Sequence, residues 1–190
     1  MNSIYLIVAP SGAGKTTITE FLETKYGLKS IQSYTTRPPR YEGEKGHTFV
    51  SDEEFDKLID IVAYTEFAGN QYCATAQQVE ENDLYVIDPK GVDYFKKSYK
   101  GNKQIRIIYI ESDLTTRYER MKKRAEDNGI ETGKAVDYAL NRIKNDISEF
   151  YDYIHHRVQV DFTVENNNNT TLEDVVDKIY KFIIFCEAEV

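Results

Sequence analysis

Residues 9–16 read Ala-Pro-Ser-Gly-Ala-Gly-Lys-Thr, a glycine-containing loop that ends in a lysine and a hydroxyl residue. The apolar run 4–8 precedes this loop, and a helix-like pattern over residues 17–25 follows it. A strand, a glycine loop, Lys-Thr and then a helix is the context in which backbone amides cradle phosphate groups. The pattern predicts a phosphate-binding P-loop. Its alternative is a chance glycine-rich turn before a helix.

The residue types of this loop suit a nucleoside triphosphate. Gly12 and Gly14 let the backbone curl so that successive N–H groups point at an anion, and the following helix adds its positive end. Lys15 would reach the β- and γ-phosphates, and the Thr16 hydroxyl would hold Mg²⁺. Ala9 stands where the pattern usually has its first glycine, which is tolerable if Ala9 keeps a negative φ.

Residues 33–40, Ser-Tyr-Thr-Thr-Arg-Pro-Pro-Arg, carry two arginines three residues apart. Pro38 and Pro39 restrict the backbone between them, so Arg37 and Arg40 can aim their guanidinium groups into one pocket. Paired planar donors suit a phosphate monoester. The segment predicts a phosphate clamp, and its alternative is two solvated surface arginines.

Apolar runs alternate with helical periodicity along the chain, which predicts an α/β fold with a parallel sheet covered on both faces. The predicted strands cover residues 5–8, 84–87, 105–110 and 162–164. The predicted helices cover residues 17–25, 52–58, 76–81, 114–128, 135–155 and 172–186. Ser51 and Glu54 form a predicted capping box, and Thr171 is a predicted cap of the last helix.

The composition bounds the class of protein. A chain of 190 residues fits one domain, and its net charge of −8 argues against a general binder of nucleic acid or of membrane surfaces. No apolar run approaches the ~20 residues that span a bilayer. Cys73 and Cys186 give no disulfide framework or metal cluster, which fits a cytoplasmic setting. The expected partners are small-molecule nucleotides, and the oligomeric state stays open.

Two segments interrupt the core pattern. Residues 33–76 are polar and rich in tyrosine and arginine, and residues 115–142 are dense in lysine and arginine. We interpret both as substrate-handling elements added to a P-loop core. The alternative is two ordinary solvated surfaces.

Several further stretches, taken with residues 9–16 and 33–40, resemble guanylate kinases. They are Gly-His-Thr-Phe-Val-Ser at 46–51, Phe-Ala-Gly-Asn-Gln-Tyr at 67–72, Ile-Asp-Pro-Lys-Gly at 87–91, Met-Lys-Lys-Arg at 121–124 with Arg142, and Val-Glu-Asn at 164–166. The resemblance spans nearly the whole chain. It implies a three-layer P-loop fold with an ATP-binding core (1–32, 77–114 and 156–190), an inserted acceptor-binding subdomain (33–76) and a lid (115–155).

The resemblance also implies an activity, the transfer of a phosphoryl group from ATP to a nucleoside monophosphate, with GMP or dGMP as the best guess. The residues implied for ATP are Ser11, Gly12, Ala13, Gly14, Lys15, Thr16, Thr17 and Asn166. The residues implied for the acceptor are Ser33, Arg37, Arg40, His47, Glu66 and Tyr72. Mg²⁺ would be served by Thr16 and Asp88, and Lys15, Arg124 and Arg142 would be catalytic.

Elementary chemistry agrees with these roles. Lys15, Arg124 and Arg142 can supply positive charge where negative charge develops during phosphoryl transfer. Asp88 ends an apolar strand, where a carboxylate can orient magnesium-bound water. The alternatives are a solvated helix face for the two arginines and a turn residue before Pro89 for Asp88.

Several positions depart from the family pattern. Ala63 stands where the family usually has the glutamate that reads guanine, Val86 replaces an acidic residue, and His47 replaces a pocket tyrosine. Glu66 takes the guanine role if the alignment is shifted. The second lid arginine is Asn128. A different nucleotide or a sugar phosphate therefore remains open as acceptor.

Two other classes of protein share single features with this sequence. A non-catalytic binding module typically loses the P-loop lysine, whereas Lys15 and Thr16 are present here. A switch GTPase would match the Asp-x-x-Gly at 88–91, but no Asn/Thr-Lys-x-Asp motif follows. We interpret the Asp-x-x-Gly match as coincidence.

Overall fold

The computed structural model describes residues 1–39, 42–67 and 69–189. In this part of the chain the strands are β1 (Ser3–Val8), β2 (Ser33–Thr35), β3 (His47–Phe49), β4 (Ile61–Phe67), β5 (Asn70–Thr75), β6 (Leu84–Val86), β7 (Gln104–Glu111) and β8 (Phe162–Glu165). The helices are α1 (Lys15–Tyr26), α2 (Asp52–Phe55), α3 (Ala76–Glu81), α4 (Pro89–Ser98), α5 (Leu114–Asp127), α6 (Thr132–Glu149), α7 (Tyr151–Ile154) and α8 (Leu172–Ala188).

The central sheet has the strand order β6-β1-β7-β8, and every neighbouring pair is parallel. These are the four strands that the sequence predicts, and the expected α/β architecture with a parallel core is confirmed. The P-loop follows the carboxyl end of β1. In parallel sheets this edge is where loops gather to bind ligands.

Side chains of β1 alternate between two hydrophobic clusters, which makes the molecule three-layered. Ile4 and Leu6 pack into the cluster that contains Phe95 of α4. Tyr5 and Ile7 pack into the opposite cluster, which contains core residues of α1 and α8. Burial on both faces explains why this strand reads as a continuous apolar run.

A second sheet, with the order β3-β2-β5-β4, lies wholly within residues 33–75. No strand was predicted there, because β2 and β3 have three residues each and β4 and β5 mix apolar with polar residues. The predicted capping box at Ser51 and Glu54 is confirmed at the start of α2, and the predicted cap at Thr171 is confirmed at the start of α8.

Two helix predictions need correction. The predicted helix 135–155 is two helices, α6 and α7, and Phe150 between them has φ −100° and ψ 15°. Phe150 and Tyr153 are both buried against the core, which they reach through this change of direction. Helix α4 was not predicted, although Asp88 caps it and Pro89 occupies its first turn, a pattern typical of helix starts.

The membrane and cysteine expectations can be compared with the described residues. No helix in that part of the chain is both long and apolar enough to cross a membrane. Cys73 and Cys186 are buried and are not disulfide-bonded.

Candidate functional site

The P-loop takes the backbone conformation that its glycines predict. Gly12 has φ +80° and Gly14 has φ +93°, values that L side chains rarely adopt, and α1 begins directly after Gly14. Within the described residues, the non-glycine positions with positive φ are Asp60 and His156. Ala9 therefore keeps a negative φ, as the sequence analysis required.

Both glycines also lie against other parts of the chain. A Cβ atom on Gly12 would lie 2.7 Å from the backbone oxygen of Arg117, and one on Gly14 would lie 2.5 Å from Nδ2 of Asn166. Asn166 is buried, and its Nδ2 donates a hydrogen bond of 2.8 Å to the carbonyl of Ala13. The loop is thus supported by α5 and by the residue that follows β8.

A cavity of about 380 Å³, which we name the P-loop cavity, opens at this loop. Its lining residues are Pro10, Ser11, Gly12, Gly14, Lys15, Thr16, Thr17, Arg120, Arg124 and Arg142. Most of the residues predicted for ATP are brought together here with both predicted lid arginines. Ala13 is fully buried instead, and Asn166 supports the loop rather than lining the cavity.

Lys15 is half-buried and lines the P-loop cavity, and its Nζ donates hydrogen bonds to the carbonyls of Ala9 and Pro10. Burial lowers the pKa of Lys15 to about 8, and the carboxylate of Asp146 partly opposes this shift. The charged form is disfavoured because it leaves water. An anion in the cavity would restore the pKa of this ammonium group.

Three arginines surround the P-loop cavity. Nη2 of Arg142 donates to Oγ of Ser11 at 2.7 Å. Among the described residues, Nε of Arg142 is buried without a hydrogen-bond partner. Arg120, which the sequence analysis did not single out, donates through Nη1 to the carbonyl of Asn166 at 3.0 Å, and burial lowers its pKa. Its spacing of four residues from Arg124 on one helix face was the signal that could have found it.

A second cavity of about 140 Å³, which we name the insert cavity, lies between the second sheet and the end of β6. Its lining residues are Ser33, His47, Ala63, Tyr64, Thr65, Tyr72, Tyr85, Val86, Ile87, Asp88 and Gly91. Three of the residues predicted for the acceptor thus share one cavity. The two non-polar departures, Ala63 and Val86, line it as well.

The predicted acceptor residues of the insert cavity are in mutual contact. Oγ of Ser33 and Nδ1 of His47 share a hydrogen bond of 2.9 Å, because these residues face each other across β2 and β3. The rings of His47 and Tyr72 are 5.6 Å apart and steeply inclined. The arrangement offers a hydroxyl, an imidazole and a phenol to one ligand.

Arg37 is held beside this group of side chains. Its Nη2 and Nη1 donate to the carboxylate of Glu44 at 2.8 and 3.2 Å, and its guanidinium lies 5.3 Å from the ring of Phe49. The hydrogen bonds to Glu44 raise the pKa of Arg37, with a smaller contribution from Tyr72. Glu44 was missed by the sequence analysis, and Arg40 lies outside the described residues.

Glu66 is not brought to the insert cavity. Its residue faces Gln71 across β4 and β5, its side chain is exposed, and its carboxylate accepts a hydrogen bond from the hydroxyl of Tyr64. Ala63 lines the cavity instead, as does Thr65. Tyr64 does line the cavity, so Glu66 is connected to the cavity wall through the hydroxyl of Tyr64.

Asp88 lines the insert cavity and not the P-loop cavity, so the structure does not bring it to Thr16. Its Oδ1 caps α4 by accepting from the amide of Gly91 at 2.6 Å, which is the structural alternative that the sequence left open. The neighbouring carboxyl of Glu149 was not predicted. Burial raises its pKa, and Asp88 and Asp146 raise it further.

A cleft of about 600 Å³ joins the two cavities. It shares Thr16, Thr17 and Arg124 with the P-loop cavity. It shares Ser33, His47 and Val86 with the insert cavity. The cleft therefore borders residues of both cavities.

The chain is similar in sequence and in fold to known guanylate kinases. Residues 1–178 match the family model described as guanylate kinase. The guanylate kinase of Geobacter sulfurreducens is 33% identical over 80% of this chain and 78% of the relative, and that of Geobacter metallireducens is 35% identical over the same shares. A crystal structure of guanylate kinase from Anaplasma phagocytophilum has the same fold, with a TM-score of 0.56 and 23% identity over 97% of this chain and 85% of that one.

The match of the family model covers most of the chain, and the two curated relatives exceed 30% identity over most of their length. The chain belongs to the guanylate kinase family, a family of nucleoside monophosphate kinases.

Proposed function

We propose that this protein transfers the terminal phosphoryl group of ATP to GMP or dGMP, giving ADP and GDP or dGDP. ATP occupies the P-loop cavity and the monophosphate occupies the insert cavity. The relatives that carry the name guanylate kinase support this assignment. In this arrangement residues 33–76 form the acceptor-binding subdomain, residues 115–155 form the lid, and the remaining residues form the core.

The cleft is the observation that carries the proposal. Phosphoryl transfer requires donor and acceptor oxygens to lie roughly in line at short distance, with their negative charge compensated. Thr16 and Arg124 line the cleft together with Ser33 and His47. A protein that bound a single nucleotide would have no need of a second polar cavity opening onto the same cleft.

On the donor side, the amides of residues 12–17 surround the phosphates while Lys15 and Arg142 stabilise the charge that develops on the transferred group. The unpartnered, buried Nε of Arg142 fits a site that receives an anion. Arg124 lines both the P-loop cavity and the cleft, so its guanidinium can follow the phosphoryl group between the two ligands. Arg120 adds a third guanidinium to this wall.

The residues present fit magnesium that enters with the nucleotide. Thr16 lines the P-loop cavity and offers one hydroxyl, while within the described residues no cluster of three carboxylate, histidine or cysteine side chains could hold a metal ion. Mg²⁺ usually keeps several waters and uses one or two protein ligands together with substrate phosphates. When bound, the ion would supply charge neutralisation at the β- and γ-phosphates.

On the acceptor side, Arg37, Arg40 and Tyr72 bind the phosphate of the monophosphate, and Ser33 with His47 contacts the base. Arg37 is pre-oriented, because Glu44 and Phe49 hold its guanidinium. A guanidinium that is already ordered loses less entropy when it binds phosphate. Asp88 lines the same cavity and so lies on the acceptor side. This position supports a role in orienting the monophosphate better than a role in binding magnesium.

The lining of the insert cavity favours a second group of candidate substrates. Ala63 and Val86 contribute no polar atom, and Asp88 is the carboxylate among the lining residues. A carboxylate is the strongest partner for the neighbouring N–H donors of guanine, so a wall with apolar residues at positions 63 and 86 discriminates less strongly between bases. Other nucleoside monophosphates are therefore candidate substrates, though a sugar phosphate lacks a base for Ser33 and His47.

The deciding experiment is a coupled assay of ADP release with ATP, magnesium and each common ribo- and deoxynucleoside monophosphate. We expect turnover with GMP or dGMP and measurable turnover with at least one other base. Absence of turnover with every monophosphate, in a protein that binds ATP, would refute the kinase assignment. The two free, buried cysteines suit a reducing, cytoplasmic setting for such an enzyme.

A further inference from the structure

A buried ion pair joins two helices behind the P-loop. Arg117 lies on α5 and Asp146 lies on α6, and Nη2 of the arginine contacts Oδ2 of the carboxylate. The two side chains are 2% and 5% exposed. Removing both charges from water is costly unless further hydrogen bonds satisfy the remaining atoms. The partner that supplies those hydrogen bonds is a residue of the P-loop.

Ser11 is bonded by this pair at each of its polar atoms. Its backbone amide donates to Oδ2 of Asp146 at 2.8 Å, and its hydroxyl donates to Oδ1 at 3.1 Å. Its carbonyl accepts from Nε of Arg117 at 2.8 Å. The same hydroxyl accepts from Arg142 at 2.7 Å. A single P-loop residue is thus fixed by charged side chains from two helices.

Backbone packing fixes the same turn. Gly12, the next residue, has its Cα directly against the backbone of Arg117, because a Cβ there would lie 2.7 Å from that carbonyl oxygen and 3.1 Å from that Cα. The start of α5 therefore contacts the loop through both backbone and side chain. The turn at Ser11 and Gly12 has little freedom to move without moving α5.

We propose that Asp146 and Arg117 are positioning residues for the P-loop. The amides that receive phosphate follow Ser11 along the chain, so holding Ser11 sets the direction in which they point. Neither Asp146 nor Arg117 lines the P-loop cavity, so they act through Ser11 and not by touching the nucleotide. This inference rests on the proposed function in that the bound ligand is an adenine nucleotide.

Two other roles would look similar in a static structure. A merely structural pair would stabilise the packing of α5 on α6 and leave nucleotide binding untouched. An inhibitory carboxylate would compete with a phosphate for the amide of Ser11. Nucleotide affinity distinguishes all three roles, because positioning predicts weaker binding on removal of the charge, structure predicts no change, and inhibition predicts tighter binding.

The chain offers a matched control. Asp161 also bridges an arginine and a backbone amide, since its Oδ1 contacts Arg106 at 3.2 Å and its Oδ2 accepts from the amide of Ile107 at 2.7 Å. It precedes β8, at the amino end of a strand, whereas the P-loop follows the carboxyl end of β1. Asp161→Asn therefore removes a carboxylate with the same kinds of partner at a more exposed site away from the loop.

The experiment titrates each variant with ADP and magnesium by calorimetry, which needs no turnover, and follows thermal unfolding of the same samples. We expect Asp146→Asn to weaken ADP binding about tenfold or more, and Asp161→Asn to change it by less than about twofold. In steady-state assays, the KM for ATP should rise while the KM for GMP stays constant. Equal effects of the two variants on ADP, or tighter binding by Asp146→Asn, would overturn the proposal.

A double variant separates positioning from folding. Replacing a buried ion pair by apolar residues is often neutral for stability. Arg117→Met with Asp146→Leu should therefore recover the unfolding temperature, yet still bind ADP about tenfold more weakly because Ser11 has lost its partners. Normal ADP binding by the double variant would make the pair structural. If wild-type protein binds ADP but fails to phosphorylate any monophosphate, the proposed function fails while the positioning role stands.

Discussion

The P-loop cavity and the insert cavity meet in one cleft but are built from different materials. The first is built around backbone, with glycines packed against α5 and Asn166 and with Lys15 half-buried against two loop carbonyls. The second is made of side chains on short strands, such as Ser33, His47 and Tyr72, which hold one another. Backbone cradles suit phosphate, which every nucleotide shares, whereas side-chain walls can vary with the acceptor without disturbing the fold.

The largest effect is expected at the shared chemistry of the P-loop. Lys15→Ala should lower phosphoryl transfer by ~10²–10³-fold or more, because the ammonium that stabilises the transferring phosphate is lost. Its native hydrogen bonds reach just two loop carbonyls, so the fold should persist. Single-turnover transfer and circular dichroism would be measured together, with Lys25→Ala on the surface as control. Near-normal turnover would contradict the kinase assignment.

A second prediction tests whether the P-loop is rigid through packing or merely through its backbone angles. Gly12→Ala should destabilise the fold by ~2–4 kcal/mol, since it adds a clash with the backbone of Arg117 to left-handed strain. Gly27 has φ +68° with nothing within 4 Å, so Gly27→Ala should cost just the strain, ~1–2 kcal/mol. Urea unfolding of both variants measures the difference. Equal losses would show that packing on α5 contributes nothing.

The insert cavity gives the third prediction. Arg37→Ala should weaken GMP binding by ~1.5–3 kcal/mol, because a charge-assisted contact to the acceptor phosphate is removed. ATP binding should change little, as Arg37 does not line the P-loop cavity. Separate titrations of ATP and GMP provide the test, and Arg40→Ala should behave in the same way. A parallel loss for both ligands would mean that these arginines serve folding.

The lowered pKa of Lys15 also predicts that ATP affinity depends on pH. Burial lowers the pKa of Lys15 to about 8, so the lysine becomes neutral as pH rises through that value in the free protein. Bound phosphates favour the charged form and raise the pKa again. ATP affinity should be constant well below pH 8 and fall by up to about tenfold per pH unit above it. Calorimetry in buffers of different ionisation enthalpy should record proton uptake near pH 8, and proton release there would contradict this sign.

The smallest effect is expected in base selectivity. The preference for GMP over other monophosphates should stay below ~1000-fold, about 4 kcal/mol, because Ala63 and Val86 supply no acceptor for guanine. Ala63→Glu should raise that preference, since position 63 lines the cavity. Glu66→Ala should change it little, because Glu66 is not among the residues that line the cavity. A panel of monophosphates assayed with each variant would decide, and a collapse of GMP preference in Glu66→Ala would restore Glu66 to the base.

The strands of the central sheet were predictable because burial on both faces leaves long apolar runs, as in β1 and β7. The strands of the second sheet were not, because their pairing depends on partners far apart in sequence, such as Tyr34 with Cys73. Local alternation in these strands, which mix apolar and polar residues, is too weak to distinguish them from loops. Helix α4 had a local signal, Asp88 followed by Pro89, which is typical of a helix start but was not used because the prediction relied on apolar periodicity.

Among the site residues, the loop motif at 9–16 and the arginine segment at 33–40 were readable because the chemistry lies within eight consecutive residues. Arg120 and Glu44 were not, since one surface arginine or glutamate looks like another until the fold brings it to a cavity. The position of Asp88 in the insert cavity was hidden for the same reason. Its position at the end of a strand was visible in the sequence, but the cavity it faces depends on how the second sheet packs on α4.

The sequence by itself determined the phosphate-binding loop, the parallel core and the membership in a kinase family, because each depends on local residue order and on burial of continuous apolar runs. Only the tertiary structure decided that Ala63 and not Glu66 faces the insert cavity, that Asn166 supports the loop, and that Arg117 and Asp146 hold Ser11. These facts join residues more than a hundred positions apart or assign a strand face. Such relations follow from three-dimensional packing, which residue order along a chain does not specify.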